Sequence, residues 1–173
     1  FVYADRRLDT QMKSTGEVMG IDSTFGTAFY KSQLAANQNL PSKGIILISV
    51  KDSDKRTIVF IAKKLSDMNF QIVATPGTHK ALVSNNIKAE LVGKIGEGDD
   101  RILELIKNKE LKLIINTPSG RRGQSDMRPI RNLATMHAIS CITTIHGAQA
   151  AVNGMESVLK SGLQVKSIQE YHA

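Results

Sequence analysis

Apolar and polar positions alternate in blocks from Gly44 onward: a short apolar run, a polar turn, then a stretch with helical spacing. Ile45-Ile46-Leu47-Ile48-Ser49-Val50 is almost continuously apolar, the pattern of a strand covered on both faces. Behind it, Ser53 or Asp54 is placed to cap a helix whose apolar positions Ile58, Ile61, Ala62 and Leu65 share one face. The alternation then predicts a strand over 70–74, a short helix over 78–85, a brief strand over 90–92 and a helix over 99–108. A strand over 111–115, a helix over 126–137 and a strand over 139–142 follow. The last long helix is expected over 144–159, with Ala148, Ala151, Val152, Met155 and Leu159 inward, and an edge strand over 165–168. Strands alternating with helices imply right-handed crossovers and a mainly parallel sheet with helices on both faces. The expected fold class is α/β, a three-layer sandwich.

Ahead of this block the pattern is different. Residues 1–11 are polar and without period, and the chain opens on Phe1 rather than Met, so a fragment of a longer protein is expected. Residues 12–40 form a separate piece with a helix over 22–37 that carries Phe25, Ala28, Phe29 and Leu34 on one side. Pro41-Ser42-Lys43-Gly44 reads as a linker.

Composition narrows the partners. Hydrophobic residues are 41% and charged residues 23% of the 173, ordinary values that supply a core without disulfides. The single cysteine, Cys141, lies in an apolar stretch and reads as a buried thiol. No apolar run approaches a membrane helix and no secretory signal is visible, so a cytoplasmic location without membrane contact is expected. The net charge of +7 raises nucleic acid as a partner. Against it, Lys63, Lys64, Lys80, Lys107 and Lys109 stand singly on helix faces, Trp is absent, and no aromatic is interleaved with a basic run. A positive field that gathers small anions is the more economical use of the charge.

Ligands of such sheets bind beyond the carboxyl ends of the strands. Those loops hold Lys51 to Lys55, then Thr75-Pro76-Gly77-Thr78, Gly93-Lys94 through Asp99, Asn116-Thr117-Pro118-Ser119-Gly120-Arg121-Arg122, and Thr143-Thr144. Hydroxyls, glycine amides, helix amino ends and cations are what a phosphate dianion requires. Taken singly, Thr75 and Thr78 read first as helix caps, Lys55 and Lys94 as surface lysines, and Gly96-x-Gly98 as a turn. Four such loops on one edge are more telling. The Asn116 to Arg122 run suits a ligand better than a plain turn, although Arg121 and Arg122 could also pair with Asp126. His79, His137, His146 and His172 fall in separate segments without ligand spacing, so no metal site is expected, and no Ser-His-Asp arrangement is visible.

At these loops the sequence resembles a known family. Ser14-Thr15-Gly16-Glu17-Val18-Met19-Gly20 is similar to the exit of the second ATP-grasp unit in carbamoyl phosphate synthetase large chains. Ser49-Val50-x-Asp52-x-Asp54-Lys55, Ala74-Thr75-x-Gly77-Thr78, Ile114-Ile115-Asn116-Thr117-x-Ser119-Gly120-Arg121-Arg122 and Ile168-Gln169-Glu170 resemble the C-terminal allosteric domain of those chains. The resemblance implies a methylglyoxal synthase-like fold with five parallel strands. It assigns residues 1–40 to a tail and helix from the end of the ATP-grasp unit, and 41–173 to the regulatory domain. It further implies binding of UMP or IMP, with Lys55, Thr75, Gly77, Thr78 and Lys94 at the phosphate, Asn116 at the sugar, Ser119, Arg121 and Arg122 in the same site, and Thr143 at a junction that takes ornithine. The parent enzyme, which makes carbamoyl phosphate for arginine and pyrimidine synthesis, uses ATP with Mg or Mn. It brings the rest of the large chain, the glutaminase small subunit and oligomerisation as partners. The fragment itself is expected to need no cofactor and to lack catalysis.

Two departures bear on this. Pro118 stands where a hydroxyl residue is usual and removes a backbone N–H donor, and Met127 stands where serine is common. The alternative is methylglyoxal synthase itself, acting on dihydroxyacetone phosphate. Asp99 and Asp126 match its two key aspartates, but its histidine aligns with Gly123, so no useful turnover is expected. An IMP cyclohydrolase domain also resembles residues 49–81 but lacks the Asn116 to Arg122 loop. A pure assembly module leaves the loops unexplained.

Overall fold

A computed structural model describes residues 16, 18–93, 100–117 and 128–172, with 128, 129, 131 and 172 as backbone only. Strands β1 (Ile45–Val50), β2 (Gln71–Ala74), β3 (Glu90–Leu91), β4 (Leu111–Thr117) and β5 (Ser140–Ile142) form one sheet in the order β3-β2-β1-β4-β5. Every pairing is parallel. The helices between them are α2 (Lys55–Asp67), α3 (Pro76–Val83), α4 (Arg101–Lys107) and α5 (Arg128–Met136). Helix α1 (Phe25–Ala35) precedes the sheet, and α6 (Ile145–Ser161) and α7 (Ile168–His172) follow it.

The apolar residues of β1 explain the three layers. Ile46, Ile48 and Val50 join one core with Ile58, Ile61, Ala62 and Leu65 of α2 and Ala148, Ala151, Val152 and Met155 of α6. Leu47 joins a second core with Ile102, Leu105 and Ile106 of α4 and Ile130 and Ala134 of α5. A strand sandwiched in this way must be apolar at successive positions. Fully burying one Leu or Ile contributes about 1.5–3 kcal/mol, so the two cores supply the main cohesion of the fold.

Several elements differ from the sequence expectation, each for a local reason. No strand forms over 165–168: Val165 is 89% exposed, and β5 keeps the sheet edge while the chain continues into α7. Leu159 and Phe25 are exposed, so the inward stripe of α6 stops at Met155 and α1 turns a different side to the core. Neither Ser53 nor Asp54 caps α2 by its side chain; a 3-10 turn over Asp52–Asp54 leads straight into the helix. Helix α3 starts at Pro76, because proline's fixed φ and missing N–H suit a first helical position. Cys141 is half-buried in β5 rather than enclosed. The lysines read as solvated, Lys63, Lys64, Lys80, Lys107 and Lys109, are all exposed, with Lys64 also 2.7 Å from Glu156 of α6.

Helix α1 seats on α6 through two glycines. A Cβ built at Gly154 would lie 2.8 Å from the Gly26 carbonyl oxygen, and one at Gly26 would lie 3.1 Å from the Asn153 carbonyl oxygen. The two backbones therefore approach closely, with the Ser157 hydroxyl of α6 beside Gly26, 2.7 Å from the same Cβ position. The stretch ahead of α1 is held as well. Lys31 of α1 pairs with Asp22 at 2.7 Å and donates to the Tyr171 hydroxyl of α7 at 3.0 Å, while that hydroxyl donates to the Ile21 carbonyl. The Lys31 hydrogen bond, with the Ser23 amide, pulls the Asp22 carboxyl from 3.8 down to about 2.

Two outcomes are expected. Gly154→Ala should force the helices apart and cost about 1–3 kcal/mol, read as a fall in melting temperature of roughly 2–4 °C per kcal/mol. Because the folded Asp22 pKa is depressed, its stabilisation is present above pH 3.8 and is lost as pH falls toward 2. Denaturant titrations should show the wild type losing more stability than Asp22→Asn between pH 4 and pH 2.

Candidate functional site

The strand order creates a crevice. From β1 the chain steps outward through α2 to β2 and on to β3, then returns to the other side of β1 as β4. Helix α2, which follows β1, packs on one face, and α5, the next described helix after β4, packs on the other. A sheet leaves room for a ligand at such a switch point.

Three polar side chains line up across this rim. Ser49 pairs with Asn116 in register, and Thr75 continues β2 beside Ser49. By the alternation of the two cores, all three fall on the face of α4 and α5. Asn116 and Thr117, expected in a loop, are the last residues of β4, and both are buried. Thr75 does not cap α3 with its hydroxyl; it donates to Ser49 Oγ at 3.0 Å, which leaves the Ser49 hydroxyl hydrogen available. Asn116 is only 2% exposed, and its Nδ2 has no hydrogen-bond partner among the described residues. A buried donor left unmade costs about 1–3 kcal/mol, and a ligand acceptor at the rim would remove that cost.

Beside this row the loops after β1 and β2 meet. Lys55 reaches across Gly77: a Cβ there would sit 2.9 Å from Lys55 Nζ and 3.5 Å from its Cε. The lysine tip lies directly over the Gly77 backbone, where a side chain would make it move. Lys55 Nζ is 2.6 Å from Asp52 Oδ1, and this bond holds the Asp52 carboxyl below the usual carboxylate range. Thr78, 1% exposed, accepts the Val50 N–H at 3.0 Å on its hydroxyl oxygen. Its own O–H remains a donor. The next amide, Lys51 N–H, is taken by the Thr117 carbonyl and hydroxyl oxygens.

The structure thus brings Lys55, Thr75, Gly77, Thr78 and Asn116 to one stretch of the rim. Thr143, which follows β5, stands exposed on the same edge, one strand further on, where Thr144 caps α6 by accepting the Gly147 N–H. Lys94, Ser119, Arg121 and Arg122 lie outside the described residues, as do Asp99, Pro118, Gly123, Asp126 and Met127. Ser49 and Asp52 belong to the rim but read from sequence only as part of a motif, because their partners come from β2 and α2. Among the described residues no group of three or more His, Cys, Asp or Glu is placed to hold a metal, and no helix is long and apolar enough to cross a membrane.

At the opposite rim a cleft of about 270 Å³ is lined by Leu40, Ile106, Leu111 and Ile139 with Lys109, Lys112 and His137. Helices α4 and α5 end there, and cations beside helix carboxyl ends offset their negative pole. No buried side-chain atom lacks a partner in it.

Comparison with known proteins adds a family. The family model of the MGS-like domain matches residues 57–143. Over 97% of its length the chain is 48% identical to the carbamoyl phosphate synthase large chain of Archaeoglobus fulgidus, of which it spans 16%. It is 49% identical over 98% of its length to the C-terminal section of that large chain from Methanocaldococcus jannaschii, spanning 28% of that protein. The chain therefore covers under a third of the length of these curated relatives. A crystal structure of methylglyoxal synthase from Elizabethkingia anophelis superposes with a TM-score of 0.54 over 65% of this chain and 79% of that one. At 17% identity that likeness is one of fold.

Replacing Thr78 by Val should leave the Val50 amide buried and unpaired, a loss of about 1–3 kcal/mol readable by denaturant titration. Thr75→Val, which removes a donor to another hydroxyl, should cost less.

Proposed function

The chain belongs to the MGS-like domain family, and on that footing we propose that it is the effector-binding regulatory domain of a carbamoyl phosphate synthase large chain. In this reading it performs no chemistry of its own. It holds the phosphate of a mononucleotide such as UMP or IMP at the carboxyl rim between β1, β2 and β4. The parent enzyme joins bicarbonate, ammonia from glutamine, and ATP with its metal into carbamoyl phosphate, in the cytoplasm, with a glutaminase subunit as partner. Residues 1–40 are the exit of the preceding ATP-grasp unit.

The observation that carries the reading is Asn116 Nδ2, without a partner among the described residues and buried in the row that Ser49 and Thr75 continue. A buried amide without an acceptor is a position prepared for a ligand oxygen. Near it the described donors suit a dianion: Lys55 from α2 and the Thr78 and Ser49 hydroxyls; the family resemblance adds Lys94, Ser119, Arg121 and Arg122, which lie outside the described residues. Asn116 would face the sugar, and Thr143 the junction with the preceding unit.

Regulation then needs no movement of catalytic groups within this chain. An effector shifts the parent between two states by its difference in affinity for them, and the coupling is reciprocal. Pro118 withdraws one backbone donor from the phosphate loop, so the choice between UMP and IMP rests more heavily on Asn116 and the arginines.

UMP or IMP should raise the melting temperature of the chain. At about a hundred times the dissociation constant the gain is roughly 2.7 kcal/mol, a shift of several degrees at 2–4 °C per kcal/mol. Lys55→Ala or Lys94→Ala should remove most of it. A melting curve unmoved by every mononucleotide at millimolar concentration would sink the effector reading.

A further inference from the structure

Both lysines of the loop after β1 face carboxylates drawn from the same short stretch. Lys55 Nζ lies 2.6 Å from Asp52 Oδ1, and Lys51 Nζ lies 3.9 Å from Asp54 Oδ2. The two pairs are built differently. The Asp54 side chain keeps 12% of its exposure, sits beside the Ser53 hydroxyl and is too far from Lys51 for a hydrogen bond. The Asp52 side chain keeps 94% of its exposure, and among the described residues Lys55 alone holds its carboxylate.

The lysine is far less exposed than the aspartate: it keeps 29% of its exposure, and its Nζ and Cε lie beside Gly77 at the amino end of α3. The result is a seated cation carrying a removable anion. An exposed ion pair of this kind is weak and easily exchanged. A carboxylate at 2.6 Å also takes one of the three ammonium donors and neutralises the charge for which a phosphate oxygen would compete.

We propose that Asp52 is an internal counter-anion that occupies Lys55 until an incoming phosphate displaces it, and thereby sets the affinity threshold of the site. This deepens the effector reading and rests on it. The displacement weakens every anion by the same factor. A nucleotide, with sugar and base contacts in addition, still binds at its working concentration, whereas bare inorganic phosphate is pushed out of range. The competing role for Asp52 is purely structural: a negative charge in the 3-10 turn that leads into α2 favours that helix end. In that case the residue affects melting temperature and not ligand affinity.

Calorimetric titration of UMP and, separately, of inorganic phosphate separates the two roles. The chains compared are wild type, Asp52→Asn, Asp54→Asn and Lys55→Ala. Asp52→Asn should tighten both probes by about two- to fivefold, and Asp54→Asn should leave them unchanged. Equal tightening in Asp54→Asn would reduce the effect to general electrostatics and overturn the proposal. Unchanged or weaker binding in Asp52→Asn, in a protein whose UMP binding is lost in Lys55→Ala, would overturn the counter-anion while leaving the site intact. If neither probe binds wild type or Asp52→Asn, the site reading itself fails, and the inference with it.

Discussion

The middle strand of a parallel sheet cannot simply end. Its last amides point at neighbours that are themselves leaving the sheet, and buried N–H groups without acceptors are costly. In this protein the carboxyl end of β1 is completed from outside: the Val50 amide goes to the Thr78 hydroxyl, and the Lys51 amide to Thr117. Those bonds fix the start of α3 and the end of β4 against β1. Apart from Thr143 beyond β5, the candidate ligand groups in the described part of the rim lie at or next to these three places. The hydroxyls therefore serve the fold before they serve a ligand, and the same oxygens that accept backbone amides keep their own hydrogens for an anion.

Charge is arranged on top of this scaffold rather than within it. The described cores contain no ionised side chain, and the ion pairs lie on the surface or at its margin. Glu156 joins Lys64 and Lys160, and its carboxyl is held low by both. Such pairs adjust the stability of individual helices but do not choose the fold. The rim differs because its cation is paired with a carboxylate beside a glycine, near a buried amide that has no partner among the described residues.

The sheet and its covering helices were legible wherever burial on both sides wrote a continuous apolar run, as at Ile45 to Val50, or a helical stripe, as at Ile58, Ile61, Ala62 and Leu65. The misreadings share a cause. Phe25, Leu159 and Val165 have the composition of inward residues, but exposure was decided by the partner each element met. Asn116 and Thr117 read as loop because they are polar; pairing with Ser49 and Val50 makes them strand. The rim followed from topology together with residue type, whereas Lys55, Thr75, Gly77, Thr78 and Asn116 were singled out within it by the family resemblance. Nothing in the sequence could join Thr78 to Val50, or Asp52 to Lys55 in preference to Lys51, since those choices are made by the geometry of the turn.

The Gly26–Gly154 crossing has a mechanical side. Where two helices touch through flexible side chains, a push on one is absorbed by rotamer changes. Where backbone meets backbone there is little to absorb it. Helix α1 and helix α6 must therefore shift together, and α6 begins at Thr144, on the edge that carries the candidate site. Any force on the chain ahead of α1 is delivered to that edge as the tilt of a rigid rod.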